Sequence, residues 1–221
     1  IRFTRKSGNL NMKNKDIFTF RDAEKQAGPV AFSTMLKPAG SACNLDCHYC
    51  YYLDKAVQYG GRQAVMSDEL LELYVKQYIE ANEVPTVQFC WHGGEPLLLG
   101  VDFYRKAMDF QQKYADGKKI LQTNGTLVDE AWCDLFAGNN FLVGISLDGP
   151  QDIHDAFRLT KGGRPTFERV MRTIEMFQRS GVEYNTLSVV NRLCEGRGGE
   201  IYRFFRDTVH SRYMQFLPAV E

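Results

Sequence analysis

From residue 32 onward, short apolar runs alternate with longer stretches whose apolar positions recur every three to four residues. The short runs read as buried strands and the longer ones as helices with one apolar face. Strands are predicted over Phe32–Leu36, Val87–Trp91, Lys119–Gln122, Leu142–Ser146, Tyr184–Val190 and Tyr213–Leu217. Helices are predicted over Ser67–Ala81, Asp102–Tyr114, Asp129–Ala137, Thr166–Arg179 and Gly199–Val209. Ser67, followed by Glu69 and a helical spacing of Leu70, Leu71, Val75 and Ile79, has the form of an N-cap. Thr166 precedes another helix, and Gly181 ends it.

This regular alternation is that of parallel βα units. Successive right-handed βα steps build either an open doubly wound sheet or a barrel, and periodicity does not choose between them. In both, ligands bind at the C-terminal ends of the strands. The segments that follow the strands are KPAGSACNLDCHYC, HGGEP, TNGT, LDGP, VNRLC and LPAVE. The helices carry no comparable cluster of polar and glycine residues, so the groups able to do chemistry are expected on one rim.

Composition and charge narrow the classes. A chain of 221 residues, 44% apolar and 24% charged, is long enough for one sizeable core. Lys plus Arg and Asp plus Glu balance at 27 each, which argues against a nucleic-acid or anionic-membrane partner. The sequence shows no apolar run of membrane-spanning length and no secretory leader pattern, so a cytoplasmic location is expected. Of the 6 cysteines, Cys43, Cys47 and Cys50 cluster, whereas Cys90, Cys133 and Cys194 stand among apolar neighbours like small core residues. No structural disulfide is expected. The chain starts at Ile1, its first thirty residues are polar and aperiodic, and it ends at Glu221 just after an apolar stretch. It is read as a piece of a longer product, with Met12 as a candidate natural start.

The spacing Cys-x3-Cys-x2-Cys lets one loop turn three thiolates towards one point, and thiolates suit zinc or an iron–sulfur cluster. A structural zinc site needs four protein ligands, and the nearby candidate for a fourth, His48, lies inside the loop itself. A cubane held by three cysteines instead leaves one iron free to bind a small molecule. Three thiols that merely meet in a loop are the plainer alternative, as turn chemistry is for the Gly-Gly before Pro96.

CNLDCHYC after the first strand, followed by GGEP after the second, resembles the radical S-adenosylmethionine superfamily. Within it, MLKPAGSACNLDCHYCYYL, WHGGEPL, QTNGT, GISLDGP and MQFLP are similar to anaerobic sulfatase-maturating enzymes. The resemblance implies an α/β fold, a partial (β/α)6 TIM-like barrel over residues 31–221, preceded by a polar extension over 1–30. The family's C-terminal SPASM domain, which binds two auxiliary clusters, is not part of the sequence. It implies a 4Fe–4S cluster on Cys43, Cys47 and Cys50, and S-adenosyl-L-methionine beside it. The main chain of Tyr49 would lie against adenine, Gly93 and Gly94 would admit the methionine end, and Glu95 would stand near its ammonium. Ser146 would meet the ribose or the carboxylate, Arg158 the carboxylate, and Leu217 the adenine.

The implied activity is oxidation of an active-site Cys or Ser of an unfolded sulfatase polypeptide to formylglycine, begun by a 5'-deoxyadenosyl radical and fed by a reducing electron donor. The family's proton-accepting aspartate is expected beyond Glu221, so the barrel alone is expected to be incomplete. Several further residues have two readings each. Asn124 and Gly125 shape the pocket or form a turn, Asp148 is a site group or a turn carboxylate, and His92 faces substrate or serves the structure. The alternatives in function are a sibling enzyme that modifies another ribosomal peptide, and a non-enzymatic zinc-binding or redox-sensing regulator.

Overall fold

The computed structural model describes residues 31–52, 55, 65–114 and 117–219. The predicted extension over 1–30, with Met12, lies outside the described residues. Six strands, β1 (Thr34–Leu36), β2 (Val87–Trp91), β3 (Gly117–Thr123), β4 (Phe141–Ser146), β5 (Glu183–Val190) and β6 (Met214–Pro218), form one sheet. Among the described residues, the α-helices of five or more residues are α1 (Asp68–Glu80), α2 (Val101–Tyr114), α3 (Glu130–Gly138), α4 (Gln151–Asp155), α5 (Phe167–Ser180) and α6 (Gly198–Arg203).

Every neighbouring pair is parallel, and the order is β1-β2-β3-β4-β5-β6. That order decides between the two architectures. A doubly wound sheet must reverse direction to put helices on both faces. Here each crossover steps the same way, and right-handed connections then place all the helices on one side. The sheet curls into a (β/α)6 half-barrel whose other face is concave.

One register row shows the division. Leu36, Trp91, Leu121, Val143 and Tyr184 pair in sequence across five strands. Trp91, Leu121 and Val143 are fully buried beneath the helices. Against them runs a chain of ring contacts, Trp91–Tyr104 at 5.5 Å, Tyr104–Trp132 at 5.4 Å, Trp132–Phe136 at 5.5 Å and Phe136–Phe141 at 5.3 Å. Each such pair adds about 0.5–1.5 kcal/mol to the burial of its area. The adjacent row, through Gln122 and Gly144, faces the concavity, where the Gln122 amide and the Leu187 side chain fill the space a Gly144 side chain would need.

The helix starts follow local chemistry. The Ser67 hydroxyl accepts a bond from Leu70 N at 3.3 Å, and Asp129 caps α3 through Trp132 N at 3.2 Å. Gly181 closes α5 in the left-handed region, at φ 69°, with Val182 N donating to Phe177 O. Thr166 does not cap α5 through its own side chain. The Asp155 carboxylate instead accepts from Thr166 N and Phe167 N, both at 2.9 Å.

Other boundaries differ for physical reasons. β1 begins at Thr34 because Phe32 is drawn to α1, its N–H donating to the Asn82 side chain and its carbonyl accepting from Tyr78. The predicted Gly199–Val209 helix ends in a π turn over Phe204–Thr208. Among the described residues, no helix is long and apolar enough to cross a membrane.

Candidate functional site

The segment after β1 carries the three clustered cysteines. Two tight turns, Gly40 N to Lys37 O at 2.9 Å and Ala42 N to Ala39 O at 3.1 Å, bring it across the end of β2. There Gly94 N donates to Gly40 O at 3.0 Å, and Glu95 N to Ala42 O at 2.7 Å. This approach requires glycine. A Cβ on Gly94 would overlap the Ala42 and Ser41 carbonyl oxygens, and one on Gly93, whose φ is 126°, would stand 2.9 Å from Gly40 O. The far side of the cysteine loop is tied to the stretch after α4. Asp46 N donates to Leu159 O at 2.8 Å and His48 N to Phe157 O at 3.1 Å, with an antiparallel bridge between Leu45 and Thr160.

Between these anchors, at the C-terminal ends of the strands, lies a cavity of about 620 Å³. Cys43, Cys47 and Cys50 line it together with Tyr49, Gly93 and Gly94. Ser146, Arg158 and Leu217 line it as well. All six cysteines are free thiols. Burial raises the pKa of Cys43, and it pushes Cys47 up to about 12 despite the opposing pull of Arg158. In this apolar mouth Cys43 and Cys47 stay protonated unless a cation compensates them.

Of the residues assigned from sequence to the cluster or the cofactor, Glu95 alone is absent from the cavity wall. It is fully buried beneath the floor, where its carboxylate accepts from Thr123 Oγ1 at 2.7 Å, Asn124 N at 2.8 Å and Leu97 N at 3.1 Å. Burial raises its pKa to about 7, and the three donors only partly offset it. Ser146 receives a bond from Gln122 Nε2 at 3.2 Å, which leaves its own hydroxyl proton free to donate into the cavity.

Asp148 is the main residue whose weight sequence reading left undecided. Fully buried, its carboxylate meets the Arg158 guanidinium twice, at 3.0 Å each, and accepts from Val189 N at 2.9 Å and from the Tyr49 hydroxyl. Burial works against the charge on Arg158, but Asp148 and its neighbours outweigh it, and the pKa moves up. His154 steadies this hub from below. Thr166 Oγ1 donates to Arg158 O at 2.6 Å, so His154 Nε2 is the donor in its 3.0 Å bond to Thr166. Its Nδ1 is left to accept from Asp148 N at 3.4 Å. The sequence signal was the closeness of LDGP and HDAFR, which are separated only by residues 151–153, the first residues of α4.

His92 also lines the cavity. Gly93 N donates to its Nδ1 at 2.7 Å, which fixes the proton on Nε2, and its ring stacks on Tyr52. Burial, with Lys37 nearby, lowers its pKa, so the ring is neutral near pH 7. Asn124 is not merely a turn residue. Its side chain bonds to Asn44, to Thr126 and to the Cys43 sulfur.

Three comparisons bear on this arrangement. The chain is 48% identical over 191 residues to a serine-type anaerobic sulfatase-maturating enzyme of Bacteroides thetaiotaomicron, matching 85% of this chain and 46% of that protein. It is 41% identical over 201 residues to a cysteine-type anaerobic sulfatase-maturating enzyme of Clostridium novyi, matching 86% of this chain and 52% of the relative. The chain thus spans about half the length of the curated relatives it matches. A solved structure of native anSMEcpe with bound AdoMet and Cp18Cys peptide superposes with a TM-score of 0.76 at 36% identity, over 84% of this chain and 50% of that one. Streptococcus suis SuiB, at 15% identity and a TM-score of 0.63, shares the fold. The Radical SAM superfamily model matches residues 38–194, the span that runs from the cysteine loop through the buried hub, and the chain belongs to that superfamily.

Proposed function

We propose that this chain is the barrel of an anaerobic sulfatase-maturating enzyme, which oxidises an active-site Cys or Ser of an unfolded sulfatase segment to formylglycine. The observation that carries the reading is the sharing of one cavity by three thiols, two glycines and the Ser146 and Arg158 side chains at the strand ends. Relatives that bear this activity in their names are similar across most of the chain.

The donor set fits a cluster better than a single ion. Among the described residues, no three His, Cys, Asp or Glu side chains converge closely enough to grip one metal ion. The three thiols nevertheless face one cavity. A zinc ion requires its thiolates at about 2.3 Å from one centre, whereas a cubane offers each thiolate a separate corner. Cys43, Cys47 and Cys50 would hold such a 4Fe–4S cluster, which with S-adenosylmethionine supplies one-electron reduction and hydrogen-atom abstraction.

The chain's own residues bind, orient and exclude water. The main chains of Tyr49 and Leu217 flank the adenine, and the backbone of Gly93 and Gly94 admits the methionine end. Ser146 donates its free hydroxyl proton to a ligand oxygen, and Arg158 uses the N–H groups that Asp148 leaves free on the ligand carboxylate. Glu95 contributes from beneath by holding Thr123 and Asn124. The reading assigns the proton acceptor and auxiliary clusters to a part of the enzyme beyond the half that this chain spans. The reading requires a reducing electron donor and a cytoplasmic setting, and the balanced charge assigns no place to nucleic acid or membrane.

The test is anaerobic reconstitution with iron and sulfide, reduction with dithionite, and assay of 5'-deoxyadenosine from S-adenosylmethionine, with Cys43→Ala as control. Product that disappears in the control is expected. A form extended by the relatives' remaining half should then convert a sulfatase-derived Cys or Ser peptide to the aldehyde. An extended, iron-loaded form that makes no 5'-deoxyadenosine overturns the reading. One that makes it but leaves both peptides unchanged overturns the sulfatase assignment and favours another peptide.

A further inference from the structure

The three thiols are not equivalent in their surroundings. Cys43 Sγ accepts from Leu45 N at 3.4 Å and from Asn124 Nδ2 at 3.8 Å. Among the described residues, neither Cys47 nor Cys50 has a hydrogen-bond donor on its sulfur. The Leu45 contact is local, two residues along the same loop. The Asn124 contact comes from the end of β3 and is held there deliberately by other groups. Its backbone N–H is fixed by the buried Glu95 carboxylate at 2.8 Å. Its side-chain oxygen accepts from Thr126 N at 2.9 Å and from Thr126 Oγ1 at 2.8 Å, which settles the amide orientation and turns Nδ2 outward. Nδ2 then faces Cys43 Sγ and the Asn44 side-chain oxygen, the latter at 2.9 Å.

We infer that Asn124 is a positioning and tuning residue, an N–H donor aimed at the Cys43 thiolate that makes a cluster bound there easier to reduce. The inference rests on the cluster reading above and goes beyond it, since that reading needs only the three cysteines. Its physical basis is charge. On reduction, negative charge grows on the cluster and its thiolates, and an N–H donor stabilises the more negative state more than the less negative one. Hydrogen bonds to charged acceptors are the stronger class, and this one lies in a largely buried setting. Glu95 thereby acquires an indirect role, because it fixes the backbone from which the donor projects. The motifs GGEP and TNGT act on the cysteine loop as one unit.

The experiment is an anaerobic redox titration of the reconstituted chain, followed by the electron paramagnetic resonance signal of the reduced cluster, with iron and sulfide content measured alongside. The midpoint is a property of each loaded cluster, so a variant that loads incompletely still reports it. Asn124→Ala removes the donor without adding charge, and Asn124→Asp removes it while keeping the oxygen that Thr126 uses. Thr126→Val loosens the same loop by removing the hydroxyl bond, while Thr126 N still holds the Asn124 oxygen and keeps the donor to sulfur in place. At a fixed potential near the wild-type midpoint, the ratio of reduced to oxidised cluster should fall about three- to tenfold in Asn124→Ala, since the bond is made in both oxidation states and only part of the strength of a charge-assisted hydrogen bond differs between them. It should fall at least as far in Asn124→Asp and stay near wild type in Thr126→Val.

A wild-type midpoint in Asn124→Ala overturns the inference, even if Asn124→Asp shifts, because the added charge would then be the cause. An equal shift in Thr126→Val also overturns it, by showing that loop packing alone sets the value. Failure of the wild-type chain to take up iron and sulfide is a different result. It overturns the cluster reading itself, and the role of Asn124 with it.

Discussion

The two sides of the rim are secured by opposite means. On the β1–β3 side, backbone meets backbone. Gly94 and Glu95 bond to the carbonyls of the cysteine loop, and two missing side chains make the approach possible. On the β4–β6 side, the backbone bonds from Asp46 and His48 are backed by a buried ion pair, with Asp148 and Arg158 joined to Tyr49 and to Val189 N. The first kind of joint is made of uncharged backbone groups and is intolerant of added atoms, and the titrating group beneath it is the Glu95 carboxyl. The second tolerates some reshaping but depends on both charges being present. The cysteine loop is gripped by both, one on each flank, so the site combines steric with electrostatic registration.

The comparison can be broken most forcefully at the ion pair. Asp148→Ala leaves a buried guanidinium uncompensated, and about 3–5 kcal/mol of stability should be lost in urea unfolding. Replacing both partners, as in Asp148→Leu with Arg158→Met, should recover much of that loss while abolishing ligand binding. A double variant as unstable as the single one would show that the pair does more than cancel its own charges.

A second, smaller effect separates the sides by pH. Glu95 has a folded pKa raised from 4.5 to about 7, so its contribution is complete below pH 4.5 and is lost as pH rises through 7. His154, on the other side, is lowered by burial from 6.5 to about 4. Its contribution is complete above pH 6.5 and is lost as pH falls through 4. Each amounts to about 3 kcal/mol at most, and in the wild-type chain they oppose each other. Glu95→Gln should therefore become more stable from pH 4 to 7, and His154→Asn less stable over the same range. Urea midpoints measured across that range check both signs, and parallel profiles would refute the assignment.

The smallest expected change in stability is at the backbone joint. Gly94→Ala should cost about 1–3 kcal/mol, the usual range for overpacking. It should displace the cysteine loop enough to lower iron uptake, which elemental analysis would report. Normal uptake would mean that the loop yields where its hydrogen bonds indicate it cannot.

Much of this architecture was legible in the chain. All six strands and five of the helices announced themselves by periodicity, and the cysteines, glycines, Ser146 and Leu217 by their positions just after or at strand ends. α4, with five residues, is too short for a helical period to show. Glu95 was misplaced relative to the cavity because a carboxylate beside two glycines reads the same whether it points to a ligand or to the protein. Asp148 and Asn124 occupy sequences that also describe ordinary turns. Val189 for one, and Cys43 and Asn44 for the other, come from distant elements, and local pattern carries no record of such pairings.

The bonds from residues 46 and 48 to residues 159 and 157 also bear on timing. The cysteines emerge early in synthesis, but the strip that clasps them is made only after four of the strands. At about 5–20 residues per second, the three thiols wait on the order of ten seconds before their clasp exists. Through that interval they remain an unfinished receptacle, open to oxidants and to stray metals alike. The most vulnerable atoms of this half-barrel are therefore sheltered only once the strip before β5 has been made.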